Sequence, residues 1–186
     1  MAYKDETLTF ASDKIYYTVD DLEFEVMMSW EDDIMKASAD YVCENGGDIL
    51  EIGFGMGIAA DYIQANSITS HTIVEIHPQI IERAKDWAVG KSNVIIVEGD
   101  WYEVKDSLST YDGIFYDTWG EEDWSRFGNN IASLVKSRAK VTWWNNNDSA
   151  SSIHNITGVE YETINITPVS NAYFNSNTYY LPKKQF

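Results

Sequence analysis

Glu31, Glu75 and Asp117, with Gly53, Gly55 and Gly57 between them in the chain, are the residues best suited to chemistry in this sequence. The stretch Asp48-Ile-Leu-Glu-Ile-Gly-Phe-Gly-Met-Gly-Ile-Ala-Ala60 passes from an apolar run, through Glu51, into alternating glycines and then into a helical pattern. That order reads as strand, tight turn, helix. Glycines tolerate positive φ and let a ligand lie directly against the turn, beneath amides at a helix N-terminus. A nucleotide-type ligand suits such a turn, and a purely structural glycine turn is the alternative. The dinucleotide pattern G-x-G-x-x-G is not met, because its third glycine would fall on Ile58. Glu75 follows about twenty residues after the glycines, where a carboxylate can accept both hydroxyls of a ribose. Asp100 and Trp101 offer a carboxylate and an indole for an adenine amine and ring face, or else an ordinary acidic turn and a core tryptophan. Trp30 and Glu31 interrupt an apolar segment, which a core tryptophan beside a solvated glutamate would also explain.

The elements that must hold these residues follow from hydrophobic period. Residues 1 to about 19 show no helical period and read as a lead or lid. From Asp20 the pattern is read as helical, through Leu22, Val26, Met27, Ile34, Ala37 and Tyr41, until Asn45-Gly46-Gly47 ends it. Helices are expected over Ile58 to Ala65, from Pro78 through Ala88, and from Glu121 to Lys136. Strands are expected at 48–52, 71–76, 93–97, 111–118 and 139–144, with a closing antiparallel pair at 161–167 and 178–181. In an open α/β sheet the ligand crevice lies at the C-terminal strand ends, so Asp117 should face the same crevice as Gly55 and Glu75. One domain over residues 1–186 suffices for this length.

Composition narrows the partners. Hydrophobic residues at 44% and aromatics at 14% suit a folded globular chain and argue against disorder. A net charge of -17 repels phosphate backbones and anionic lipid, so nucleic acid and membrane surfaces are disfavoured and a cationic small molecule is the expected acceptor. Cys43 is the one cysteine, which excludes an intramolecular disulfide. No apolar run approaches the ~20 residues of a membrane span, the N-terminus lacks a signal-peptide layout, and the expected location is cytoplasmic. His71, His77 and His154 are scattered, so no metal is assigned.

Strand-helix alternation, with Glu51, Glu75 and Asp117 ending strands and a β-pair closing the chain, resembles the class I S-adenosylmethionine-dependent methyltransferases. These have a Rossmann-like α/β fold: a seven-stranded, mostly parallel sheet, helices on both faces and a C-terminal antiparallel pair. Four blocks go further: Val26-Met-Met-Ser-Trp-Glu31, Leu50 to Ala60, Gly113-Ile-Phe-Tyr-Asp-Thr118, and Tyr179-Tyr180 with Pro182. Spanning residues 26 to 182 in order, they resemble the guanidinoacetate N-methyltransferases and their arginine-methylating relatives. The resemblance implies that Gly53, Phe54, Gly55, Met56, Gly57 and Ile58 line the methionine part of S-adenosylmethionine. Glu75 would take its ribose, Asp100 and Trp101 its adenine, and Met27 and Met35 would form its other wall. Glu31 and Asp117 would clamp the guanidino group, and Asn145 would help bind a substrate carboxylate. The chemistry asks for such a pair, because a guanidinium with a pKa above about 12 is a poor nucleophile until a base shares its proton. The sequence departs from the family at Asn145-Asn146-Asn147, where only the first asparagine matches, and at Ser137-Arg138-Ala139-Lys140, which replaces a glycine-containing turn. A methyltransferase for another amine, and a cofactor-binding protein without turnover, are the rival readings.

Overall fold

The structure is a computed structural model and describes residues 3–186, so the first two residues of the expected lead lie outside it. Its centre is a seven-stranded sheet built on the apolar runs read above. β4 (Asp48–Ile52), β5 (Ser70–Glu75), β6 (Val94–Glu98), β7 (Tyr111–Tyr116) and β8 (Val135–Trp143) are parallel, and β9 (Glu160–Asn165) and β10 (Thr178–Gln185) are antiparallel. The spatial order is β6-β5-β4-β7-β8-β10-β9. It reverses direction on either side of β4, which opens a crevice beyond the strand ends there. The central strands are buried on both faces under helices, and Glu51, His71 and Thr72 are buried polar residues among their apolar ones. On one face, Ile34, Met35 and Val42 of α1 (Asp32–Cys43) and Ile63 of α2 (Ile58–Ala65) pack on Ile49 and Phe115, while Ile80 and Ala84 of α3 (Pro78–Ala88) pack with Ile73. On the other, Trp101 of α4 (Trp101–Val104) and Phe127 of α5 (Ser125–Asn130) pack on Leu50, Ile114 and Tyr116. Cys43 is buried in the last turn of α1.

The region before α1 corrects the sequence reading. There is no helix from Asp20; instead β1 (Thr9–Phe10), β2 (Lys14–Val19) and β3 (Leu22–Met28) form a separate three-stranded sheet. Asp20 and Asp21 both take positive φ, 50° and 63°, and join β2 to β3 in the tight two-residue turn whose twist suits a hairpin. Leu22, Phe24 and Val26 alternate with Glu23 and Glu25, and that strand period coincides with enough three- and four-residue steps to imitate a helix. A short 3-10 turn, Ser29–Glu31, then leads into α1. The helix expected over Glu121 to Lys136 is likewise shorter. Gly128 lets the chain pass against the His154 carbonyl, where a Cβ would clash, and β8 begins already at Val135. β8 carries an irregularity with Arg138 at a φ of 67°, so Ser137-Arg138-Ala139-Lys140 lie within this strand rather than in a turn before it.

Among the described residues, no helix is long and apolar enough to cross a membrane, and no group of His, Cys, Asp and Glu is arranged to hold a metal.

Candidate active site

A cavity of about 700 Å³ opens at the C-terminal ends of β4, β5 and β7. Its floor is the glycine turn between β4 and α2. Gly53 has a φ of 93°, and a Cβ there would overlap the Asp117 carbonyl oxygen, so the turn and the end of β7 can meet only through a glycine. Gly55 has a φ of 52°, and a Cβ there would lie 2.5 Å from Met27 Sδ. That sulfur accepts the Met56 N–H at 3.1 Å, tying β3 to the turn.

Glu75, at the end of β5, is buried. Its Oε2 accepts the Phe54 N–H at 2.9 Å, and its Oε1 accepts those of Ile76 and His77 at 2.9 and 2.8 Å. Burial pushes its pKa up, and these three bonds oppose the rise. Oε1 is filled by two of these donors, and Oε2 keeps a lone pair for a ligand hydroxyl. Asp100 caps α4 by accepting the Tyr102 N–H at 2.8 Å and reaches the cavity wall. Trp101 lies mostly in the core, edge-on to Tyr116 at 5.6 Å, and donates its indole N–H to Glu121 at 3.1 Å. It borders the cavity but is chiefly a core tryptophan.

Glu31 and Asp117 face the same space from opposite sides of the sequence. Glu31 is 3% exposed, so it is not a solvated charge. Its Oε1 accepts the Met28 N–H at 2.7 Å and the Tyr173 hydroxyl at 2.6 Å. Burial, then the proximity of Asp117, pushes its pKa up to about 8. Asp117 follows β7, is half-buried, and accepts no hydrogen bond from the described residues; burial, then Glu51 and Glu75, pushes its pKa up to about 7. Glu51 is fully buried on β4, with Oε2 2.8 Å from His71 Nε2. Glu6, Asp100, Glu121 and Glu122 add to this negative wall, against Lys4 and Arg126 as its basic residues. Arg126 lies 3.7 Å from Glu121.

The structure thus brings Met27, Glu31, Met35, Gly53, Phe54, Gly55, Glu75, Asp100, Trp101 and Asp117 to one cavity. Met56, Gly57 and Ile58 do not line it; Gly57 caps α2 and Ile58 opens its first turn. Asn145 does not line it either. Its amide nitrogen is committed to the Ser149 and Tyr180 carbonyls at 3.1 and 2.9 Å, and the neighbouring Asn146 reaches the cavity instead.

Sequence reasoning missed the aromatic side of the site. Tyr3, Tyr17 and Trp119 cluster over the cavity, with Trp119 donating its indole N–H to the Glu25 carbonyl at 2.8 Å. The segment before β1 is fastened to the start of α3. Gln79 bonds both the N–H and the carbonyl of Leu8, at 2.7 and 3.3 Å. His77 accepts the Gln79 N–H on Nδ1 and donates from Nε2 to the Glu6 carbonyl, at 3.2 and 3.1 Å. Tyr173 reaches Glu31 from the segment between β9 and β10.

This sheet order, the glycine turn under an acidic strand end, and the carboxylates at the switch point define a class I, Rossmann-like methyltransferase. Known structures share the fold. The N-methyltransferase NodS from Bradyrhizobium japonicum WM9, in complex with S-adenosyl-L-homocysteine, aligns with a TM-score of 0.65 at 13% identity over 84% of this chain and 87% of that one. Spermidine synthase from Thermotoga maritima aligns with a TM-score of 0.64 at 10% identity over 96% and 72%.

The chain belongs to the guanidinoacetate N-methyltransferase family, whose profile matches residues 6–165. The cofactor of this family is S-adenosylmethionine, and the turn fits it: a cradle that a Cβ would fill, beneath a carboxylate whose Oε2 has a lone pair for a ribose hydroxyl. Protein arginine N-methyltransferase 2 from Candida glabrata is 36% identical over 74% of this chain and 37% of its own length. The protein of the same name from Kluyveromyces lactis is 32% identical over 95% and 54%, and that from Saccharomyces cerevisiae 30% over 87% and 47%. The chain therefore spans about a third to a half of the length of these relatives. Being named for arginine in proteins, they overturn the expectation of a small-molecule acceptor alone.

Proposed function

We propose that this chain methylates a guanidino nitrogen of an arginine side chain presented by a protein, with S-adenosylmethionine as methyl donor. The observation that carries this reading is the pairing of Glu31 and Asp117 across one cavity beside the glycine turn. S-adenosylmethionine, a sulfonium, supplies an electrophilic methyl group. Glu31 and Asp117 clamp the planar fork of guanidinium N–H donors and aim one nitrogen along the cavity. The N–C bond would form as the donor's sulfur–methyl bond breaks, its electron pair staying on the neutral thioether; the methylated nitrogen must then lose a proton, which the Asp117 carboxylate accepts. A base whose pKa is lifted to about 7 is matched to that task near neutral pH. The wall charges favour a protein acceptor. Guanidinoacetate would bring its own carboxylate into a cavity whose charged residues are mainly carboxylates, whereas an arginine in peptide linkage brings only its cation. The relatives' names point the same way.

We also infer that residues 3–186 work as one methyltransferase domain, with the segment before β1, fastened by Gln79 and His77, acting as the lid of the cofactor site. The test is mass spectrometry of methyl transfer to arginine-bearing basic peptides, to free arginine and to guanidinoacetate. The reading expects methylarginine in peptides and little product from guanidinoacetate. Efficient creatine formation with unmodified peptides would refute it.

A further inference from the structure

We propose that Tyr173 is a positioning residue for the acceptor: with the Met28 amide it fills Oε1 of Glu31 and so turns Oε2 toward the acceptor's N–H groups. The proposal rests on the arginine reading above and deepens it. Two donors meet at Oε1, at 2.6 and 2.7 Å, and none from the described residues reaches Oε2. An ionised carboxylate offers two oxygens to a guanidinium fork, but a short side chain free to rotate presents neither reliably. Here one oxygen is committed to the protein and the other is left for the substrate.

Tyr173 can act this way because it is itself held. Asn171 Oδ1 accepts the N–H groups of Tyr173 and Phe174 at 2.9 and 2.7 Å, and its amide donates to the Val169 and Phe174 carbonyls, both at 2.8 Å. The tyrosine ring stacks on Trp30, with centroids 5.9 Å apart and planes inclined by 26°, and meets Trp144 edge-on at 6.1 Å. Trp30 precedes Glu31, so one tryptophan sets both the carboxylate's backbone and the ring of its donor. The titratable groups facing Glu31 are Asp117, Tyr173 and Tyr179. Burial raises the pKa of both tyrosines, so Tyr173 stays a neutral donor across the working pH range.

Removing the hydroxyl takes one hydrogen bond from the ionised form of Glu31, so the carboxyl should keep its proton to higher pH. The experiment compares wild type, Tyr173→Phe and Phe174→Leu. The last repacks the same loop and cluster but leaves the hydroxyl. The Glu31 titration is read by carboxyl carbon-13 NMR, assigned with Glu31→Gln, and steady-state kinetics use an arginine peptide. In Tyr173→Phe the Glu31 midpoint should rise by about one pH unit, the value of one hydrogen bond to a charged group. The acid limb of kcat/KM should move the same way, and the peptide KM should rise roughly tenfold. Affinity for S-adenosylmethionine should be unchanged, which also reports that the variant is folded. Phe174→Leu should not move the midpoint. An unmoved midpoint in Tyr173→Phe, or an equal shift in Phe174→Leu, overturns the proposal. A wild type that methylates no arginine peptide is a different failure, that of the arginine reading, and the NMR midpoint separates the two.

Discussion

At the scale of single residues, Glu31 and Asp117, the carboxylates of the proposed clamp, should behave differently from ordinary acids. Asp117→Asn keeps shape and some hydrogen bonding but removes the proton acceptor, and turnover should fall about a hundredfold or more, with cofactor affinity little changed by calorimetry. The double variant with Glu31→Gln should lose less than the product of the single losses, since both act on one group. Their ionisation also links activity to stability with opposite sign. Both folded pKa values are raised, to about 7 and about 8, above unfolded values near 4. A raised carboxyl gives stability that is fully present below the unfolded pKa and is lost as pH rises through the folded pKa. Thermal melts without ligands should therefore show Tm falling between about pH 5 and pH 8, as turnover rises, and Asp117→Asn should flatten the slope. A Tm that rises over this window in wild type would show that the carboxylates are not buried as described. Glu31 and Asp117 were legible because each stands in a block whose spacing resembles the family. Tyr173 was not, because its bond to Glu31 joins residues 142 apart, and nothing local in Asn171-Ala-Tyr-Phe174 announces that contact.

At the scale of elements, the glycine turn was readable from spacing, but the reason for each glycine was not. Gly53 excludes a Cβ because the backbone of Asp117 lies there, whereas Gly55 excludes one because of the Met27 side chain, which can move. Gly53→Ala should therefore cost roughly 3 kcal/mol or more in denaturant melts and abolish cofactor binding, while Gly55→Ala should cost less in stability. Equal losses would mean that φ strain alone governs both positions. The strands β4 to β8 were found from their continuous apolar runs, and α1, α2 and α3 from their period. The β2–β3 hairpin was lost because Leu22 and Val26 satisfy two periods at once, and its Asp20-Asp21 turn carries no glycine to mark it. The C-terminal pair was found, but its second strand, expected to end at residue 181, runs on to Gln185, since Pro182 and the lysines after it look unlike a strand interior.

At the scale of the molecule, the charge of -17 now has a location as well as a sum. Carboxylates outnumber basic residues on the cavity walls, so the field there should steer a basic substrate, and kcat/KM for a basic peptide should fall several-fold between about 20 and 300 mM salt. Free arginine, with a carboxylate of its own, should respond less. A flat salt profile for both would leave the acidic surface as a matter of solubility alone.

The strand order also constrains how the molecule can be made. β10 is synthesised after β9 yet lies between β9 and β8. Until Thr178–Gln185 leaves the ribosome, β8 presents an open edge and β9 has no neighbour, so the nascent chain carries its glycine turn, Glu31 and Asp117 before it can close the sheet that supports them. Tyr179, fully buried and bonded to the Asn145 amide at 2.6 Å, arrives in that same late strand. Chains stopped before Thr178 should accumulate as aggregates rather than with the cavity partly formed, so the site cannot assemble until β10 has been made.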